Sequence, residues 1–181
     1  MVKRKCLEVI VIMGILASLS SLFGCTRKPA GEQDGVKGSV GLGEKAVDNE
    51  SGVTGFSYYY AESPRGENYS YQVKTEDGQL VFLYENIEYR DRGEMKIPVT
   101  DQLLQDLTDL YKSLRLAEWD GFSRYNTLEQ DGYSFTLSIS FADGKDMSAR
   151  GENVFPERYK EFKAKLKEIF GPLCEEAIGE E

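Results

Sequence analysis

Apolar and polar residues alternate most strictly near the end of the chain. Tyr133, Phe135, Leu137, Ile139 and Phe141 are separated by Ser134, Thr136, Ser138 and Ser140. A period of two sends one set to each face of a strand, so this stretch predicts a half-buried β-strand with a hydroxyl-bearing outer side. Earlier, residues 69–75 alternate Tyr69, Tyr71 and Val73 with Ser70, Gln72 and Lys74, and residues 56–61 form a third, aromatic-rich strand candidate. Asp77-Gly78 marks a tight hairpin turn into a strand over 79–88, because aspartate and glycine tolerate positive φ. Asp143-Gly144 plays the same part before a shorter strand over 145–150.

The period changes to that of a helix in two places. Leu103, Leu107, Leu110 and Leu114 give residues 101–116 one apolar face, after a loop closed by Pro98. Asp101 at the start, and Lys112 and Arg115 near the end, complement the helix dipole. Pro156 opens a second helix over 157–170, since proline at the first helical position loses no hydrogen bond. Its buried stripe is Tyr159, Phe162, Leu166 and Ile169, and Gly171-Pro172 ends it. The sum is an α+β domain over 53–181: an antiparallel sheet of about five strands with two helices on one face. Each half reads strand, Asp-Gly turn, strand, proline-marked loop, helix. That order fits a ββα duplication, and it also fits chance likeness between two common motifs.

Before residue 53 the pattern differs. Residues 26–52 hold six glycines, no aromatic residue and mixed charges, too little apolar surface to offset the entropy of ordering. They predict a flexible tether, with an end-to-end distance of roughly 26–31 Å. Upstream, Lys3, Arg4 and Lys5 precede a short apolar run, and the segment ends Leu22-Phe23-Gly24-Cys25. This is the layout of a secretory signal, and the run is short for a helix spanning about 30 Å of hydrocarbon.

Leu22, Gly24 and Cys25 resemble the lipobox of bacterial lipoproteins, although Phe23 stands where that pattern carries a smaller residue. The resemblance implies removal of residues 1–24 and lipid on Cys25. It implies attachment to the cell membrane on the extracytoplasmic side, for which two acyl chains suffice. The stretch from Ser148 to Pro156 looks like segments of uncharacterised lipoproteins of clostridia-like bacteria, which agrees with an envelope address and implies no site residues.

Charge and chemistry narrow the function. Loss of residues 1–24 removes Lys3, Arg4, Lys5 and Glu8, leaving 19 basic and 30 acidic residues and a net charge of −11. Such a surface repels phosphates, so nucleic acid is not an expected partner and the lipid alone must hold the membrane. Cys6 leaves with the signal and Cys25 is claimed by lipid, so Cys174 stands alone; it reads as a small packed residue near a helix end.

With no histidine in the chain, Ser-His-Asp and Cys-His catalysis and histidine metal sites are excluded. No phosphate loop, dinucleotide fingerprint or EF-hand spacing occurs, so neither a cofactor nor a metal is expected. Carboxylates are plentiful, which leaves a carboxylate-dependent hydrolase of wall glycan as the alternative to a binding module. An accessory subunit of an envelope complex is a third reading.

Three features are candidates for a binding surface. Arg-Gly-Glu recurs at 65–67, 92–94 and 150–152, a pattern that surface turns also produce. The last helix is locally basic (Arg158, Lys160, Lys163, Lys165, Lys167), with Glu161 and Lys165 spaced to pair as in any solvated face. The third is aromatic: Tyr58, Tyr59 and Tyr60 in one strand, and Trp119 and Tyr125 downstream. Alternation sends either Tyr59, or Tyr58 with Tyr60, away from the helices, where exposed rings grip sugars or peptides. The expected partner is thus an envelope protein, peptide or glycan.

Overall fold

A computed structural model describes residues 35–40, 51–129 and 132–179, all of which belong to one compact unit. The signal segment and Cys25 lie outside the described residues.

The architecture is α+β, one mixed eight-stranded sheet and two main helices. The strands are β1 (Val36–Val40), β2 (Val53–Glu62), β3 (Asn68–Glu76), β4 (Gln79–Asn86), β5 (Met95–Pro98), β6 (Phe122–Asn126), β7 (Tyr133–Phe141) and β8 (Asp146–Glu152). The helices are α1 (Asp101–Ser113) and α2 (Tyr159–Gly179), and short 3-10 helices cover Ile87–Arg92 and Leu116–Trp119. Across the sheet the order is β1-β6-β8-β7-β2-β3-β4-β5. All neighbours are antiparallel except β6 and β8, which run parallel.

The sheet is therefore larger than the five antiparallel strands that alternation predicts. The three added strands, β1, β5 and β6, span only four or five residues each. Too short to show a period, they are ordered by pairing with longer neighbours.

The clearest departure is β1, which lies inside the stretch expected to be a tether. Val36–Val40 pairs antiparallel with β6, from Val36 opposite Asn126 to Val40 opposite Phe122. Val36 is buried, and Thr127 donates both its backbone N–H and its hydroxyl to the Gly35 carbonyl. Gly38 sits at φ +115°, where a Cβ would lie 1.9 Å from the Ser123 carbonyl oxygen. Glycine, which suggested flexibility in the sequence, here permits a close strand approach.

The two Asp-Gly pairs make different turns. Asp77 and Gly78 both have positive φ (50° and 81°), the signature of a two-residue type I′ hairpin. At the second, glycine alone is left-handed (Gly144, φ 80°); Gly144 donates to the Phe141 carbonyl and Phe141 to that of Lys145, a longer loop. The hairpins β3–β4 and β7–β8 nevertheless flank β2 on opposite sides.

Both helices cover one face of this sheet. Phe162 meets Tyr58 edge-on (5.5 Å), Phe170 packs on Phe56 and Phe82, and Tyr111 of α1 stands edge-on to Phe141 (4.9 Å). The leucine stripe of α1 is buried as its spacing requires. Helix α2 begins at Tyr159 rather than 157, after Arg158 in the left-handed region (φ 64°). It also does not stop at Gly171-Pro172. Pro172 sits on the exposed side, while Phe170, Cys174 and Ala177 carry the buried stripe to Gly179. Burial along those extra two and a half turns offsets the hydrogen bond that proline removes.

Candidate functional site

The aromatic cluster of β2 resolves by alternation. Tyr58 is fully buried among α2 rings, and its hydroxyl bonds to that of Tyr159 at 2.7 Å. Tyr60 is also buried, with the Lys163 ammonium 3.5 Å above its ring, a cation–π contact. With both neighbours pinned inward, Tyr59 must point out, and it is 41% exposed.

Trp119 is likewise a core residue and not part of any surface. The 3-10 helix Leu116–Trp119 tucks it against Phe162 (5.0 Å), Tyr159 (6.1 Å) and Phe135 (6.4 Å). Tyr125, on β6, is 44% exposed. Of the five aromatics singled out in the sequence, Tyr59 and Tyr125 thus face solvent, and Tyr58, Tyr60 and Trp119 are corrected to the core.

Tyr59 stands in a register row with Ser70 of β3 and Glu85 of β4. The 3-10 helix Ile87–Arg92 rises beside this row. It is capped by Asn86, whose side-chain oxygen accepts from the Glu88 N–H at 2.9 Å, while the Asn86 amide donates to the Tyr84 hydroxyl at 2.7 Å. Between helix and row lies a cavity of about 270 Å³, lined by Tyr59, Asn68, Ser70, Glu85, Ile87 and Arg90 among others. Ile87 is exposed beside Tyr59, so the hollow pairs two apolar surfaces with an amide, a hydroxyl, a carboxylate and a guanidinium. That mixture suits a small polar ligand with one apolar face. A hollow of about 490 Å³ adjoins it, sharing Asn68, Ile87 and Arg90.

On the same outer face, Tyr125 borders a hollow of about 230 Å³ with Ser123, Ser134, Thr136, Arg150 and Glu152. Arg150 donates from Nε to the Ser123 hydroxyl at 2.8 Å.

A fourth hollow of about 530 Å³ lies on the helix side, between α2 and the β3–β4 hairpin; Tyr69, Tyr71, Tyr84 and Cys174 line it. Burial pushes the Cys174 thiol up to about 12, so it stays protonated at neutral pH and is no nucleophile there.

The remaining sequence candidates fall apart structurally. The three Arg-Gly-Glu runs occupy unlike settings: the loop between β2 and β3, the end of the 3-10 helix, and strand β8. In α2, Lys165 pairs with Glu168 at 2.7 Å rather than with Glu161, and Arg158 reaches Glu118 at 3.0 Å. Among the described residues, no group of three acidic or cysteine side chains is placed to hold a metal ion. No described helix is long and apolar enough to cross a membrane.

The sequence missed Asn68, Glu85, Ile87 and Arg90 as neighbours of Tyr59. Part of this was within reach. The two-residue turn at Asp77-Gly78 sets Glu76 opposite Gln79, and counting outward sets Ser70 opposite Glu85. Arg90 belongs to a helix with no apolar period, and only tertiary folding brings it to Tyr59.

Comparison with known protein families, curated proteins and solved structures returns no match.

Proposed function

We propose that the chain is a bacterial lipoprotein held by lipid on Cys25 at the extracytoplasmic side of the cell membrane, where its domain acts as a non-enzymatic binding module of the envelope. The binding reading is carried by one observation: Tyr59, an exposed ring at the wall of a cavity that also offers the Arg90 guanidinium, which makes no ion pair among the described residues. Large aromatic side chains at such positions supply a disproportionate share of binding energy. The anchor rests on the charged, apolar and Leu22-Phe23-Gly24-Cys25 segments in their order along the chain. Binding is favoured over wall-glycan hydrolysis because, among the described residues, the Tyr59 cavity is lined by one carboxylate, Glu85, whereas glycosidic cleavage uses two across the bond.

Two measurements test this. Mass spectrometry of the chain purified from membranes is expected to show a diacylated Cys25 N-terminus; an intact Met1 or an unmodified cysteine defeats the anchor. A photo-crosslinking amino acid at position 59, in intact cells, is expected to trap an envelope component that the same group at exposed Thr54 does not. Equal trapping at both positions, or none at either, defeats the binding surface.

A further inference from the structure

Tyr59 and Tyr125 are connected by the register of the sheet. Tyr59 on β2 lies opposite Thr136 of β7, Thr136 opposite Arg150 of β8, and Arg150 beside Ser123 of β6. Tyr125 follows two residues beyond Ser123 on the same face. Three strand spacings place the Tyr59 and Ser123 positions about 14 Å apart. The surface between them carries the hydroxyls of Thr136, Ser134 and Ser123, and each end opens into a hollow, of about 270 and 230 Å³.

The strands along this path are interior ones, hydrogen-bonded on both sides. A peptide adding itself as a strand needs an edge, and none is available here. A ligand on this face meets side chains alone: a ring at each end and hydroxyl, amide and carboxylate groups between and around them. Polyhydroxylated rings match that set, because their C–H faces stack on tyrosine and their hydroxyls both donate and accept.

Charge narrows the class further. Among the described residues the Arg90 side chain is exposed and makes no hydrogen bond or ion pair, and Arg150 is bound to Ser123 with no carboxylate partner. A guanidinium fork takes a carboxylate in two parallel hydrogen bonds. A chain of net charge −9 repels a densely charged polymer, so the acid groups must be sparse.

We propose that the outer face binds an extended glycan bearing isolated carboxylates, laid across the strands from Tyr59 to Tyr125 with one carboxylate on Arg90. This rests on the reading of the face as a ligand surface, and narrows its partner to one class.

The test uses the full chain in detergent micelles and a panel of immobilised oligosaccharides, each acidic member carrying one uronic acid beside its uncharged counterpart. At least one acidic member is expected to be retained in preference to its counterpart. Tyr59→Ala should weaken that binding about tenfold or more, while Tyr59→Phe keeps it. Arg90→Gln should remove the preference for the acidic member, and Tyr125→Ala should weaken long members more than short ones. Tyr59 and Tyr125 are exposed, and an unchanged melting curve certifies each variant as folded.

Absence of Tyr59-dependent retention on every member overturns the proposal, as does preference for uncharged members. If the sugars fail while a crosslinker at position 59 traps a protein or peptide in cells, the glycan falls and the binding surface stands. If both fail, both readings fall together.

Discussion

The two faces of the sheet are built from the same strands by opposite chemistry. On the helix side, Phe56, Tyr58 and Tyr60 of β2 and Phe135, Leu137 and Ile139 of β7 merge with both helices into one core. On the other side, the intervening positions are Ser57 and Tyr59, then Ser134, Thr136 and Ser138. The rings of Phe56, Tyr58, Tyr60 and Phe135 on the first face each touch other rings, whereas Tyr59 and Tyr125 stand open. The contrast separates two settings for a tyrosine. Inside, the ring contributes burial and the hydroxyl must find a partner; outside, both remain free to meet a ligand.

This contrast makes ordered predictions. The largest effect belongs to the core. Phe162→Ala removes a ring with no exposure that touches Tyr58, Trp119 and Tyr159, and should cost about 3–5 kcal/mol in chemical denaturation. A cost below about 1 kcal/mol would break the assignment of this face as the core.

Next comes the buried hydroxyl pair. Tyr58→Phe leaves the Tyr159 hydroxyl without its 2.7 Å partner and should cost about 1–3 kcal/mol. The double change Tyr58→Phe with Tyr159→Phe should cost less than the two single changes together; simple additivity in a double-mutant cycle would deny the coupling.

Alkaline stability is a third measure of the same face. Burial pushes Cys174 from about 9 up to about 12, and burial with nearby Glu62 and Glu67 pushes Tyr60 from about 10 up to about 12. The folded state therefore holds these protons more tightly than the unfolded chain does. That contribution is complete below about pH 9 and is lost as pH rises toward 12. Melting temperature should fall across that window, and the Cys174 thiol should resist alkylation at pH 8 until the protein unfolds. Rapid alkylation of native protein would contradict the burial.

The smallest effect sharpens the comparison from the other side. Thr136→Ala, on the outer face of β7, should change stability by no more than about 0.5 kcal/mol. A larger loss would mean that the outer face carries packing as the helix side does.

Legibility in the sequence followed the length of each element. Strand β7 and helix α1 were readable because nine and thirteen residues are enough to display a period. Strands β5 and β6, at four and five residues, were not, and β1 was hidden further by glycines that suggest coil. Helix α2 was readable in its stripe but not in its extent, because Gly171-Pro172 is a stop signal that buried Cys174 and Ala177 override. For the site, alternation reduced the tyrosines of β2 to two arrangements and could not choose between them. Trp119 was misplaced because a single tryptophan in a turn has no neighbours of known direction.

What the sequence determined by itself was local: strand and helix periods, the Asp-Gly turns, the acidic and histidine-free chemistry, and a segment ending at Cys25 with the form of a lipid attachment signal. These depend on residues a few positions apart, and side-chain direction and turn chemistry act over that range. The tertiary structure decided that β2 turns Tyr59 outward, because α2 claims Tyr58 and Tyr60. It also decided that Arg90 and Tyr125 share a face with Tyr59, and that Val36–Val40 joins the sheet. Those outcomes come from pairing and packing between distant segments, where the free energy belongs to the contact and not to either segment alone.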